Sequence, residues 1–149
     1  MPWRDIPDFV AKTLRSDEQF DVTRSLLEFI ILTASRSGEA RGTTWDEVDF
    51  ENATWVVPAS RMKAKVAHRV PLSPRAIQIL QRQKEIRIQD TPESANIVFP
   101  SVRDQVILSD MALTALLRRL KAQSDTHGRI ATAHGFRSSF RDWCSENGY

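Results

Sequence analysis

The sequence has few of the residues that mark several large classes of protein. It has one cysteine, Cys144, among 149 residues, which excludes an internal disulfide framework and favours a reducing compartment. The longest apolar run, residues 26–32, is interrupted by Glu28 and is far shorter than the ~20 residues that a membrane-spanning helix needs. The amino terminus lacks the pattern of a secretory signal peptide. We therefore predict a cytoplasmic protein with no membrane partner.

Tyrosine is just as scarce, and the single one, Tyr149, is the last residue. The rest of the composition is that of a folded chain, because 41% of the residues are hydrophobic and the mean hydropathy is −0.38. At this length, such a content predicts one domain with a substantial core. We expect residues 1–149 to form that domain.

Acidic and basic residues are unevenly distributed, although the net charge is only +2. Residues 5–51 contain eleven acids and five lysines or arginines, whereas residues 52–84 contain seven basic residues and no acid. Residues 118–141 contain six basic residues and Asp125 as the one acid. Positive patches of this kind are typical of a protein that binds a polyanion, and a solvated basic face would give the same pattern.

Apolar spacing predicts a mainly α-helical chain with a small antiparallel β-sheet. Asp17, Ser73, Ser109 and Thr132 are the predicted N-caps. Helices are predicted over residues 6–14, 17–31, 39–45 and 73–88, after Ser109, and after Thr132. β-Branched or alternating runs predict strands, two or three in all, that include residues 54–57 and 68–72, and residues 97–100 form a further short strand or extended segment.

His134 and Arg137 stand near the start of the predicted last helix. Arg137 lies at the edge of an apolar face that is formed by Phe136, Phe140, Trp143 and Cys144. An arginine packed on one side presents its planar guanidinium rigidly on the other. The first turn of a helix also favours an anion, because its backbone N–H groups are free. The pair is a candidate phosphate clamp, or else a surface histidine and an ordinary ion-pairing arginine.

Two further segments place basic side chains at turns. In Ser35-Arg36-Ser37-Gly38-Glu39, the Glu39 carboxylate is in position to hold the Arg36 guanidinium, and a local ion pair without further role would have the same sequence. Between the predicted strands, Lys63 or Lys65 would lie at a hairpin tip. Neighbouring cations lower the pKa of a lysine, which suits proton donation to a leaving oxygen, whereas most such lysines are solvated.

In this order, the three segments resemble the catalytic domain of tyrosine recombinases, most closely the integrases of prophages and genomic islands. The resemblance covers essentially the whole chain. It depends on an arginine followed three residues later by glutamate, a basic hairpin that ends in Val-Pro-Leu-Ser, and the His-x-x-Arg of HGFR.

The resemblance implies a fold and a chemistry. Arg36 matches the first catalytic arginine, His134 and Arg137 match the His-x-x-Arg pair, and Lys63 best matches the hairpin lysine, with Lys65 as the alternative. The family fold is mainly helical with a small sheet. The implied reaction is attack of a tyrosine on a phosphate of double-stranded DNA, which gives a 3′-phosphotyrosine link that another strand reverses. The implied partners are DNA and other recombinase subunits, with no metal, cofactor or small-molecule substrate.

Tyr149 departs from the family pattern. The family nucleophile comes well after the His-x-x-Arg helix, beyond another His or Trp, so we expect Tyr149 to be a packing or helix-end residue. The amino-terminal DNA-clamping domain of the family is not expected within residues 1–149 either. The sequence therefore predicts a partial catalytic domain that lacks the nucleophile and is inactive alone.

Other functions remain open on the sequence. The chain could be a DNA-binding module, derived from the same family, that does not cleave. A cysteine hydrolase that uses Cys144 with His134 is disfavoured because the two residues fall on different helix faces. A zinc site formed by His68, His127 and His134 lacks close ligand spacing.

Overall fold

The computed structural model describes residues 1–16, 21–87, 96–103 and 106–149. Six α-helices are present in this part of the chain: α1 (Ile6–Phe9), α2 (Val22–Thr33), α3 (Ser37–Arg41), α4 (Pro74–Arg87), α5 (Asp110–Arg119) and α6 (Ala133–Glu146). The first continues as a π-helical segment, Val10–Leu14. The predicted mainly helical fold with a small sheet is confirmed.

The starts of the helices follow local capping chemistry. The hydroxyls of Ser73, Ser109 and Thr132 each accept a backbone N–H of the first turn, at 3.2, 3.3 and 3.0 Å, so these predicted caps are confirmed. The predicted start of the second helix at Asp17 is wrong. That residue lies outside the described residues, and the helix begins at Val22 because the Asp21 carboxylate accepts the Thr23 N–H at 2.8 Å.

The third helix also differs from its prediction over residues 39–45. It begins at Ser37, before Glu39, because the Glu39 carboxylate turns back to accept the Arg36 backbone N–H at 3.1 Å. It ends at Arg41, and a separate 3₁₀ turn follows at Trp45–Glu47.

The sheet has three antiparallel strands in the order β1 (Val48–Asp49), β2 (Thr54–Val57) and β3 (His68–Pro71). Its central strand pairs Thr54 with Pro71 and Val57 with His68. The segment at 97–100 is extended rather than a strand, since Ile97 and Pro100 form only isolated bridges.

The core is built around α2, which packs against α3, α4, α5 and α6. Phe29 of α2 is fully buried, and its ring lies 5.2 Å from the ring of Trp55 and 5.4 Å from that of Phe99. Because α2 contacts four other helices, its position determines where its carboxyl end lies relative to α3 and α6. None of the helices within the described ranges is long and apolar enough to cross a membrane.

Candidate functional site

A cleft of about 450 Å³ lies where three elements meet: the carboxyl end of α2, the first strand residue of β3, and α6. The described residues that line it are Thr33, Ala34, His68, His134, Arg137, Ser138, Phe140, Arg141 and Cys144. None of these is an aspartate or a glutamate, so the cleft is suited to an anion.

His134 lies in the first turn of α6 and is exposed to solvent. The helix starts there because the Thr132 hydroxyl accepts the Gly135 N–H. The other first-turn N–H groups and the helix dipole favour negative charge at this end of the cleft.

Arg137 is partly buried and is fixed by a contact distant in sequence. Its Nη1 donates to the backbone carbonyl of Ala34 at 3.0 Å. Ala34 ends α2 in the left-handed conformation, with φ of 50°, so that its carbonyl lies at the negative end of the helix dipole. The bond holds one side of the guanidinium, and within the described ranges its remaining donors have no partner and can bind a ligand.

Arg36 follows Ala34 by two residues and precedes α3. Its Nη1 donates to Oε1 of Glu39 at 2.9 Å. The Glu39 side chain is 6% exposed, whereas that of Arg36 is 47% exposed. The predicted contact of Glu39 with Arg36 is therefore present, and it orients a guanidinium that remains accessible.

The hairpin lysines lie apart from these residues. Lys63 and Lys65 are exposed in the loop between β2 and β3, where Lys65 donates its backbone N–H to Met62 and has φ of 56°. Neither lysine lines the cleft, and neither does Arg36. The structure thus brings His134 and Arg137 into one cleft, with Arg36 two residues beyond its wall and Lys63 on a separate loop.

Arg61 connects the hairpin loop to α3, a contact that no local pattern of residues indicates. Its Nη1 donates to the Glu39 carbonyl at 3.1 Å, and its Nη2 forms an ion pair with Glu47, which also accepts the indole N–H of Trp55. The base of the loop that carries Lys63 is therefore fixed on the helix that follows Arg36.

Phe140 was predicted to share one apolar face of the last helix with Phe136, but the structure does not bury the two side chains together. Phe140 is 47% exposed and lines the cleft, whereas Phe136 and Ser139 are buried. The Ser139 hydroxyl hydrogen-bonds the Met1 carbonyl, which turns that side of the helix towards the core. Phe140 instead stacks on Trp143, with 5.9 Å between the ring centroids.

Tyr149 lies just beyond the end of α6, as expected. Gly148 adopts φ of 78°, and the Tyr149 N–H donates to the Cys144 carbonyl at 2.9 Å, which closes the helix with a left-handed turn. The phenol ring stacks on Trp143 at 5.5 Å and the residue is 85% exposed.

Residues missed by the sequence analysis complete the cleft. His68 was considered only as a zinc ligand, and Ser138 and Arg141 were not considered as site residues. The alternation along β3 could have indicated His68, because it shares a strand face with the buried Val70. Within the described residues, no three His, Cys, Asp or Glu side chains are grouped to hold a metal ion.

The fold is shared with solved structures of an integrase and a recombinase. The integrase of transposon Tn1549, solved with circular intermediate DNA, superposes with a TM-score of 0.74 at 17% identity, over 97% of this chain and 53% of that one. The XerH recombinase bound to its difH substrate gives a TM-score of 0.76 at 18% identity, over 99% and 42%.

The particular family follows from sequence. The model of the phage integrase family matches residues 7–149, and the chain belongs to this family. Prophage integrase IntZ of Escherichia coli K12 is 34% identical over 148 residues, which cover 99% of this chain and 34% of that protein. The integrase of Enterobacteria phage P4 is 30% identical over 161 residues, covering 99% and 35%. The chain thus spans about a third of the length of these relatives.

Proposed function

We propose that this chain supplies the phosphate-binding part of a site for site-specific DNA recombination, which integrates or excises mobile DNA. The observation that carries the proposal is the bond from Arg137 to the carbonyl of Ala34, two residues before Arg36, in a member of the phage integrase family. It ties the His-x-x-Arg helix to the turn that carries the other matched arginine.

The proposed chemistry is cleavage and rejoining through a 3′-phosphotyrosine intermediate. A tyrosine phenolate oxygen forms a bond to phosphorus while the bond from phosphorus to the 5′ oxygen breaks, and Lys63 supplies the proton that turns this leaving oxygen into a hydroxyl. Arg36 and Arg137 neutralise the non-bridging oxygens, and His134 donates a hydrogen bond to one of them. Donors arranged in advance for such charge are each worth ~3 kcal/mol or more in the transition state.

The partners in this proposal are double-stranded DNA and further recombinase subunits. Tyr149 is not assigned as the nucleophile, since its ring packs on Trp143 at the end of α6. The packing of Tyr149 on Trp143 also supports a second candidate function, DNA binding without cleavage. The two functions differ in covalent chemistry and share the grip on phosphate.

Binding of a short duplex DNA at several salt concentrations tests the shared grip. Arg137→Ala and Arg36→Ala should each weaken binding, and each should lower the slope of log affinity against log salt by about 0.9, the value for one lost phosphate contact. Contacts from Arg36, Arg137 and Lys63 together would make wild-type binding roughly 40-fold weaker on a fourfold rise in salt.

Arg119→Ala is the matched control. Arg119 pairs with Asp21 at the amino end of α2, whereas the cleft lies at its carboxyl end, about 18 Å away along a helix of 12 residues. Equal losses in Arg119→Ala and Arg137→Ala, or binding that is insensitive to salt, would contradict the proposed site.

A further inference from the structure

His68 occupies a defined place at the start of β3. It pairs with Val57 across the sheet, and β3 is an edge strand of the sheet. Side chains alternate between the faces of a strand, so His68 shares a face with Val70, which is 5% exposed, while Arg69 lies on the other face. The face of β3 that carries His68 is therefore the one packed against the core.

At the His68 end of the strand, this inner face opens onto the cleft. His68 is exposed there and lines the same cleft as His134 and Arg137 of α6. Among the described residues, its imidazole has no hydrogen-bond or ion-pair partner. A histidine of the sheet thus shares an acid-free cleft with the His-x-x-Arg helix, and its ring nitrogens are without a partner among the described residues.

We propose that His68 is a DNA-contacting residue whose imidazole N–H donates a hydrogen bond to a phosphate oxygen held in the cleft. The inference rests on the proposed function and adds a third element, the sheet, to the phosphate grip of the two helices. His68 is the first residue of β3 after the loop that carries Lys63, so a contact of His68 with phosphate also anchors this loop on the DNA.

The three histidines of the chain allow a direct test by nuclear magnetic resonance. The ring resonances of His68 and His134 should shift when a short duplex DNA is added. Those of His127, which is exposed and does not line the cleft, should remain in place. A His68 resonance that is as unaffected by DNA as that of His127 would overturn the assignment.

Substitutions test whether the contact contributes to affinity. His68→Ala should weaken duplex binding about 3- to 10-fold, the worth of one hydrogen bond, without lowering the thermal midpoint. His68→Gln retains an N–H donor and should recover most of the loss, and His127→Ala should bind as the wild type does. Equal weakening by His68→Ala and His68→Gln would contradict a hydrogen-bonding role.

Arg137→Ala separates this inference from the proposed function. If Arg137→Ala weakens binding while His68→Ala does not, the role of His68 is wrong and the proposed site stands. If neither substitution changes binding, the proposed function itself fails.

Discussion

Glu28 is a buried carboxylate in the middle of α2, held between arginines from two other elements. Its Oε1 accepts a hydrogen bond from Nε of Arg15 at 2.8 Å and another from Nε of Arg75 at 2.8 Å. Its Oε2 accepts one from Nη2 of Arg75 at 3.0 Å. Burial acts to raise the pKa of Glu28, but the hydrogen bonds and charges of Arg75 and Arg15 outweigh it and hold this pKa below its ordinary value.

Glu28→Gln should destabilise the fold by about 2 kcal/mol. A fully buried pair that loses one partner costs ~3–5 kcal/mol, and the loss is smaller here because the arginine side chains are 41% and 42% exposed. Urea unfolding would measure the difference. Asp8→Asn, which breaks the exposed pair with Lys12, is the control and should cost less than about 1 kcal/mol.

The same residue should make stability depend on pH at the acid end. Its pKa is lower in the folded protein than in the unfolded chain, so its contribution is complete above the unfolded value of about 4.3 and is lost as the pH falls through the folded value. In Glu28→Gln, the fall in unfolding free energy from pH 5 to pH 3 should therefore be smaller than in the wild type. An identical fall in both proteins would contradict this role.

At the scale of elements, α3 and the hairpin loop are joined through a close approach at Gly42. A Cβ on Gly42 would lie 2.2 Å from Nη1 of Arg61, the atom that donates to the Glu39 carbonyl. The residue after α3 must therefore be small for Arg61 to reach the helix.

Gly42→Ala should displace Arg61 and cost about 2 kcal/mol, the worth of a hydrogen bond from a charged group. In the background of Arg61→Ala, the same substitution should cost much less, because the clashing side chain is gone. Gly38→Ala is the control, since its new Cβ would meet only Nη2 of Arg41, at 3.9 Å. Additive effects of Gly42→Ala and Arg61→Ala on the thermal midpoint would show that the two residues are not coupled.

At the scale of the whole molecule, the position of Tyr149 bears on whether this chain can cleave the phosphate that it is proposed to bind. A nucleophile must approach phosphorus within ~3–3.5 Å and in line with the leaving oxygen. The Tyr149 ring stacks on Trp143, which lies about 9 Å along the helix axis from Arg137.

The chain should therefore form no covalent adduct with a nicked duplex DNA, and Tyr149→Phe should bind that DNA as the wild type does. Denaturing electrophoresis after incubation would detect an adduct, and mass spectrometry would locate it. An adduct on Tyr149, given within one subunit or by a neighbouring one, would overturn the assignment and make this tyrosine the nucleophile.

The sequence by itself determined the features that depend on neighbouring residues. Ser73, Ser109 and Thr132 begin helices because a side-chain oxygen reaches an N–H three residues away, and Arg36 reaches Glu39 across one turn. The His-x-x-Arg spacing and the hairpin are local in the same sense, which is why the family could be inferred before the fold was known.

Only the tertiary structure decided which side chains share the cleft. Arg137 bonds to Ala34 across 103 residues, and His68 enters the same cleft from the sheet. Phe140 faces outward because packing against Met1 sets the rotation of α6, which helical spacing alone leaves open. Such contacts depend on how the core of α2 orients every other element, and no local pattern of residues encodes that orientation.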